Sequence, residues 1–267
     1  MGKKRSIAQE ECDGALQVAV AKLPPSASLN MQNADVYYVE DFIEKAVADD
    51  WYKELLDLDT WYQPTLKLYG KSVIQSRKIA AYSTDPNFKL KYSGQLVDMH
   101  YEYPPLLRDI QGMVEKRLGV TFNHVMLNLY EDGSVYIGNH RDNMENRVIA
   151  SLSLGTPRTF VMTYDPLQSA LDSSESAPPK KRRRKQSNAK STAVADQNPK
   201  SATPNNGETS EPAKPEKRVW TLANGSLVVM QGVTQRFWKH SIPKETKIKG
   251  GRISLTFRQL DTDNVDS

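Results

Sequence analysis

The 267-residue sequence predicts an α+β chain whose second half is an antiparallel sandwich or jelly roll. Three observations point there. The first half carries two stretches of helical periodicity. From about residue 122 the pattern changes to short segments that alternate with period two. A long polar segment then interrupts these strands without any apolar pattern of its own.

Residues 1–34 are polar, hold Pro24-Pro25 and show no sustained period, so they read as a disordered N-terminal segment. Val36–Val39 fits a short strand. Phe42, Ile43, Ala46, Val47, Trp51, Leu55 and Leu58 recur at helical spacing, which predicts an amphipathic helix over Glu40–Leu58. A second helix is expected over Pro105–Leu118. Proline opens it, Leu106, Leu107, Ile110, Met113, Val114 and Leu118 form its stripe, and Gly119 stops it.

Val125, Leu127 and Leu129 alternate with Met126, Asn128 and Tyr130, and Glu131–Ser134 reads as the turn that follows. Further strands are predicted at Val148–Leu154, Thr159–Tyr164, Val219–Leu222, Ser226–Met230 and Gly251–Arg258. Asn224-Gly225 signals a tight hairpin between two of them. Between Gln168 and Lys217 the chain is rich in Ser, Pro, Ala, Lys and Asn, which predicts a disordered insert at a hairpin end. Within it, Pro178-Pro179 precedes an unbroken basic run from Lys180 to Lys185, the pattern of a nuclear-import signal or a phosphate-binding tail.

Charge and cysteine content narrow the function classes. The net charge is +4, but residues 168–218 hold 11 Lys and Arg against 6 Asp and Glu, a surplus of five, so the rest of the chain stands at about −1. Any nucleic-acid surface on the folded part must therefore be a local patch. Cys12 is the single cysteine, which excludes an internal disulfide and a multi-thiolate zinc site. No apolar run reaches the roughly 18 to 20 residues of a membrane helix, and the N-terminus has no signal-peptide core. A soluble intracellular protein with no membrane partner is expected.

Candidate chemistry centres on His140 and Asp142. In extended backbone residues i and i+2 share a face, so both side chains could reach one cation, with His240 as the third ligand. Two histidines and a carboxylate with open positions opposite suit a non-heme Fe(II) oxygenase. A lone His-x-Asp is otherwise an ordinary loop, and His100 and His124, with no carboxylate two residues on, read as structural or surface residues. In the last strand Arg252, Ser254, Thr256 and Arg258 share one face while Ile253, Leu255 and Phe257 share the other. Two guanidinium forks and two hydroxyls on one face suit a small dicarboxylate, since arginine binds carboxylate bidentately. An exposed edge strand with surface arginines is the alternative. Asn128 and Tyr130 share a face of their own strand and could donate to the same ligand.

Taken in order, Asn128-Leu-Tyr130, His140-Arg-Asp142, Ile149–Gly155, Gly225-Ser-Leu, His240-Ser and Arg252-Ile-Ser-Leu-Thr-Phe-Arg258 resemble the motifs of AlkB-type Fe(II)- and 2-oxoglutarate-dependent dioxygenases, above all the eukaryotic nuclear DNA-repair demethylases. The resemblance runs from about Leu68 to Arg258, outside the insert. It implies a double-stranded β-helix core over 122–267, preceded by the N-terminal helices and a nucleotide-recognition segment over 35–121. It implies Fe(II) on His140, Asp142 and His240. One carboxylate of 2-oxoglutarate would lie on Arg252 and Tyr130, and the one near the iron on Arg258 and Asn128, with Ser254 and Thr256 on the same face. In that family O2 and 2-oxoglutarate oxidise an N-methyl group of a base such as 1-methyladenine or 3-methylcytosine, releasing formaldehyde, succinate and CO2.

The resemblance also implies substrate contacts from Arg77, Tyr82, Tyr92 in Tyr92-Ser93-Gly94, Arg141, Asn143 and Glu145, and a hydrophobic finger at Leu68-Tyr69-Gly70. Half-buried strand tyrosines are the alternative for Tyr69 and Tyr92. Asn143 stands where DNA-repair members usually carry an acid, in a shortened loop that also holds Glu145, and Ser254 stands where Asn is usual. Both departures bear on base preference and leave the metal and co-substrate residues intact. The expectation is a monomeric nuclear enzyme acting on duplex or single-stranded DNA, with methylated RNA as the alternative substrate and the import machinery bound through Pro178–Lys185. A catalytically silent nucleic-acid-binding protein is the rival of another class.

Overall fold

The computed structural model describes residues 23–68, 71–92, 95–144, 146–167 and 215–260. In chain order the elements are β1 (Asp35–Val39), α1 (Lys45–Leu56), β2 (Thr65–Leu68), β3 (Lys71–Ile74), β4 (Lys78–Ser83), β5 (Lys91–Tyr92), β6 (Gln95–Leu96), β7 (Met99–His100) and α2 (Pro105–Leu118). They continue with β8 (His124–Tyr130), β9 (Ile137–His140), β10 (Asn146–Gly155), β11 (Arg158–Tyr164), β12 (Lys217–Leu222), β13 (Leu227–Gln231), α3 (Thr234–Phe237), β14 (Trp238–Ile242) and β15 (Arg252–Leu260).

A seven-stranded sheet in the order β1-β13-β10-β15-β8-β4-β7 and a four-stranded sheet in the order β12-β11-β14-β9 make up the sandwich. Period two sorts the large sheet's side chains into two layers. Val125, Leu127, Leu129, Ala150, Leu152, Val229, Ile253, Leu255 and Phe257 pack with Ala48 and Leu55 of α1 and with Leu107, Ile110, Val114 and Leu118 of α2. Residues of the opposite parity, among them Tyr130, Ile149, Val228 and Met230, meet Phe160, Met162, Leu222, Trp238 and Ile242 of the small sheet. The layers are therefore helices, large sheet, small sheet. The inter-sheet layer is where the inward polar residues gather.

Both predicted helices form. α2 keeps its expected bounds, and Gly119 closes it in the left-handed region at φ 78° with its N–H on Glu115 O at 2.7 Å. The first helix begins at Lys45 rather than Glu40. Its N-terminus has no side-chain cap, and the backbone just before it is tied elsewhere, Ile43 N donating to Gly225 O at 3.0 Å. Residues 23–34 of the segment read as disordered are folded. Leu23, Ala27 and Met31 are buried there, a short 3-10 turn spans Pro25–Ala27, and Gln32 O accepts the indole N–H of Trp238 at 2.9 Å. Three isolated apolar residues carry no periodicity, so nothing in the sequence marked them.

Asn224-Gly225 is a turn but not a hairpin. β12 pairs with β11 and β13 pairs with β1 and β10, so the turn carries the chain from one sheet to the other. Gly225 sits at φ 81°, and a Cβ on it would meet Ile43 O at 2.4 Å, so glycine is required both by conformation and by space. Strands β2 to β4, β6, β7 and β14 lie in stretches where no strand was expected, and β5 holds Tyr92, for which a strand was the alternative. β4 and β7, from the segment that precedes residue 122, extend the large sheet. At the far side, Pro215 and Glu216 already run alongside Tyr164, and β12 begins at Lys217, inside the bounds expected for the insert. Among the described residues no helix is long and apolar enough to cross a membrane.

Candidate active site

Between the two sheets lies a cavity lined by Asn128, Tyr130, Arg252, Ser254, Thr256 and Arg258 from the large sheet and by His140 and His240 from the small one, with Asp142 and Arg77 also in its lining. β15 is a central strand between β10 and β8, not an edge, and Arg252 and Ser254 are 2% and 4% exposed. The register sets Arg252 opposite Tyr130, Ser254 opposite Asn128 and Arg258 opposite His124. One guanidinium nitrogen of Arg252 donates to Ser153 Oγ at 2.9 Å, while Nε and Nη1 are buried with no hydrogen-bond partner, and the Tyr130 ring lies 5.2 Å away. A buried cation with free donors is costly on its own. It fits a seat for an anion.

His140, Asp142 and His240 each present a ligand atom, and these atoms lie within 4.8 Å of one another. β9 and β14 pair with His140 directly opposite His240, their ring centres 4.3 Å apart. His140 is the last residue of β9, and Asp142 stands on the loop beyond it, so the pair does not share a strand face in the simple sense expected. Instead the Asp142 backbone N–H is held by Gln235 Oε1 at 3.0 Å, and Arg258 Nη2 holds carboxylate Oδ1 at 2.9 Å. That leaves Oδ2 facing His240 Nε2 at 3.6 Å.

The His140 tautomer follows from its partner. Nδ1 lies 2.9 Å from Gly138 O, and a carbonyl can only accept, so Nδ1 carries the proton and Nε2 offers its lone pair. Protonation states suit metal binding as well. Burial pushes His240 down to about 3, helped by His140 beside it, and burial also lowers His140. Burial works against ionisation of Asp142, but Arg258 and the two histidines outweigh it and hold the carboxyl well below the usual range. Two neutral imidazoles and a carboxylate are ready at neutral pH, with no proton to displace.

The expected substrate residues fare differently. Arg77 reaches the cavity and donates from Nε to Asn128 Oδ1 at 2.7 Å. Asn143 is exposed beside Asp142. Tyr82 is not at the site. It pairs with Val125, whose side chain faces the helices, and its hydroxyl lies 2.6 Å from that of Thr60 with the ring against Tyr103 and His100. Arg141 does not line the cavity either, because its guanidinium bonds Asp165 O at the end of β11. Tyr69, Gly70 and Glu145 lie outside the described residues, as do the side chains of Leu68 and Tyr92.

Four contributors went unread in the sequence. Gln235 and Ser153 carry no pattern. Phe160 stacks on His240 at 5.6 Å and reads as plain core. Arg158 did leave a sign, since it falls in phase with Phe160 and Met162 on the buried side of its strand. It is 1% exposed and joins Asp132 O, Val135 O, Pro243 O and Glu245 Oε2 at 2.7 to 3.1 Å. One side chain thereby fastens the loop that leads into β9 and the loop that leaves β14, the two strands that carry the histidines. Arg158→Ala leaves Glu245 and three carbonyls without their donor and should cost about 3 to 5 kcal/mol. Urea denaturation measures this.

Glu245 also accepts from the Thr159 N–H and hydroxyl at 3.0 and 2.7 Å. Burial favours its neutral form, but these bonds and Arg158 outweigh it, so its folded-state value lies below the ordinary 4.5. Its stabilising contribution is thus complete above pH 4.5 and lost as pH falls through the lower folded value. Glu245→Gln should flatten that acid limb in urea midpoints measured from pH 6 downward.

The profile of the 2OG-Fe(II) oxygenase superfamily matches residues 35–258. The chain belongs to this superfamily. Its relatives include DNA oxidative demethylase ALKBH2 of Arabidopsis thaliana, 29% identical over 84% of this chain and 66% of the relative. The human protein of that name is 30% identical over 81% of this chain and 70% of its own length. Human alpha-ketoglutarate-dependent dioxygenase alkB homolog 3 is 29% identical over 80% and 62%. The chain thus spans 62 to 70% of the length of these relatives. As a 2OG-Fe(II) oxygenase it takes Fe(II), 2-oxoglutarate and O2, and its residues fit them. The histidine, carboxylate and histidine donors suit Fe(II), and the unpartnered donors of Arg252 suit a carboxylate.

Proposed function

We propose that this protein removes N-methyl groups from alkylated DNA bases of the 1-methyladenine and 3-methylcytosine type. The observation that carries the reading is one cavity holding both a metal-ligand triad and a buried arginine with free donors. The names of the relatives support DNA as the substrate, and the basic run of the insert supports a nucleic-acid setting.

In this reading His140 Nε2, the Asp142 carboxylate and His240 hold Fe(II). Arg252 and Tyr130 receive one carboxylate of 2-oxoglutarate, and Arg258 with Asn128 the one nearer the metal. Iron held there would, with O2 and 2-oxoglutarate, supply the oxidation, one oxygen atom going to succinate as CO2 leaves and the other into a C–H bond of the N-methyl group. The resulting N-hydroxymethyl base breaks down to formaldehyde and the repaired base. The chain's own part is placement. Arg258 fixes Asp142 through one oxygen, Gln235 fixes its backbone, and Phe160 covers the His240 ring. Met126, Ile137, Leu222 and Met230 add apolar surface to the cavity lining. The target base must leave its stack to reach a site between the two sheets, which costs a few kcal/mol and least in single strands.

We assign the protein to the nucleus as a monomer, with Pro178–Lys185 as its import signal. Incubation with Fe(II), 2-oxoglutarate and methylated single-stranded DNA, duplex DNA and RNA tests the reading. Formaldehyde from a DNA substrate at a rate above that from RNA is the expected result. Equal or faster turnover of RNA would reassign the substrate, and no formaldehyde from any DNA would end the proposal.

A further inference from the structure

Arg77 stands one residue before β4, and the alternation that turns Ala80 and Tyr82 toward the helices turns Arg77 the other way, into the cavity. Ile79 pairs with Asn128 on β8, so Arg77 lies diagonally from Asn128, a separation of about 7 to 8 Å that a long side chain spans. Arg77 Nε donates to Asn128 Oδ1 at 2.7 Å, and the two residues are 5% and 8% exposed. The segment that delivers Arg77 is held from its other side. Tyr62 and Ile79 exchange backbone hydrogen bonds at 3.0 and 2.8 Å, and Gln75 N donates to Pro64 O at 2.9 Å.

This bond decides which way the Asn128 amide faces. A primary amide has a carbonyl end that only accepts and an amino end that only donates, and half a turn about its last torsion exchanges them. Arginine Nε only donates, so it takes the carbonyl and turns away an amino group. Ile79, the partner of Asn128 on β4, is apolar and offers no alternative. Nδ2 is thereby left over, and among the described residues it makes no hydrogen bond. A carboxylate is all acceptor, so it would meet a donor in this orientation and a repelling oxygen in the flipped one.

We propose that Arg77 is a positioning residue for the co-substrate: by holding the Asn128 carbonyl it keeps Nδ2 available to the 2-oxoglutarate carboxylate nearer the metal. It acts through Asn128, rather than as the contact to the base that the family resemblance implies. This rests on the reading of Asn128 as a 2-oxoglutarate ligand and adds to it the residue that sets its amide. The role requires a donor at the Nε position and no positive charge. Glutamine places its amide nitrogen at the chain position where Arg77 carries Nε, without the charge. Lysine has a methylene there and carries its charge farther out.

The test is calorimetric titration of 2-oxoglutarate into the full chain loaded with Mn(II). Asn128→Ala should raise the Kd about 10- to 100-fold, the worth of one hydrogen bond to a charged group. Arg77→Met and Arg77→Lys should each raise it about tenfold, and Arg77→Gln should recover most of that loss. Mn(II) affinity should not fall in any of them. Arg77→Met combined with Asn128→Ala should bind no more weakly than Asn128→Ala alone, since both remove the same contact. Normal binding by Arg77→Lys beside weakened binding by Arg77→Gln, or effects that add in the double variant, would overturn the positioning role and make Arg77 a contact in its own right. Arg77→Met that binds like the wild type while Asn128→Ala does not would overturn it as well. If Arg77→Met does not fold, the lysine and glutamine variants still decide. Asn128→Ala that binds 2-oxoglutarate like the wild type would remove Asn128 from the seat, and the proposal with it.

Discussion

Arg252→Met should abolish 2-oxoglutarate binding while leaving the metal-free protein at least as stable as the wild type. Arg252 is buried, holds one hydroxyl and has two donors without partners. Each charge-assisted hydrogen bond to a carboxylate is worth about 1.5 to 3 kcal/mol, so losing two raises the 2-oxoglutarate Kd by roughly 10²- to 10⁴-fold. The unliganded fold bears the opposite cost. Replacing a buried ion by an apolar side chain of similar volume is commonly neutral or stabilising by about 1 to 4 kcal/mol. Titration of 2-oxoglutarate into the Mn(II)-loaded variant and a thermal melt of the metal-free one read the two effects separately. A variant that binds 2-oxoglutarate normally would remove Arg252 from the site. One that binds nothing and melts much lower would make Arg252 a structural residue.

Asp142→Ala should eliminate turnover and weaken Fe(II) or Mn(II) binding by more than the 10- to 100-fold typical of residues that only orient a ligand. It also strips Arg258 of its partner, so a stability loss of about 3 to 5 kcal/mol is expected with it. Asp142→Asn separates the two effects. The amide oxygen still accepts from Arg258, so the fold should hold while a neutral ligand replaces the carboxylate and activity still falls. Metal titration by calorimetry together with urea denaturation of both variants checks this.

What could be read in the sequence divides along physical lines. The core of the large sheet was legible because strands such as 124–130 and 252–260 alternate strictly, and a two-residue period assigns every side chain to a layer. The same parity put Arg252 and Arg258 on one face before any neighbour was known. Tyr82 was misplaced for a related reason. Its stretch, Lys78–Ser83, is buried nearly throughout, so neither periodicity nor residue type says which face meets the cavity. The metal triad was legible only as a combination. His140 and Asp142 are close in sequence, but it is the pairing of β9 with β14 that brings His240 across, and the short alternation of β14 went unread. Arg158 and Gln235 act through loops distant in sequence, and no local signal can report such contacts. Glycine at 225 was recognised as a turn residue, while its second job, giving room to the backbone of Ile43, depends on the packing of α1 against the sheet.

The central claim is that one cavity couples 2-oxoglutarate decarboxylation to removal of a methyl group from a DNA base. The most direct measurement is the yield of succinate and of formaldehyde in the same reaction, with and without a 1-methyladenine oligonucleotide. The prediction is that the two products rise together in equal amounts when the methylated DNA is present, with only slow succinate formation in its absence. Succinate formed at the same rate with or without the methylated base, and no formaldehyde, would contradict it.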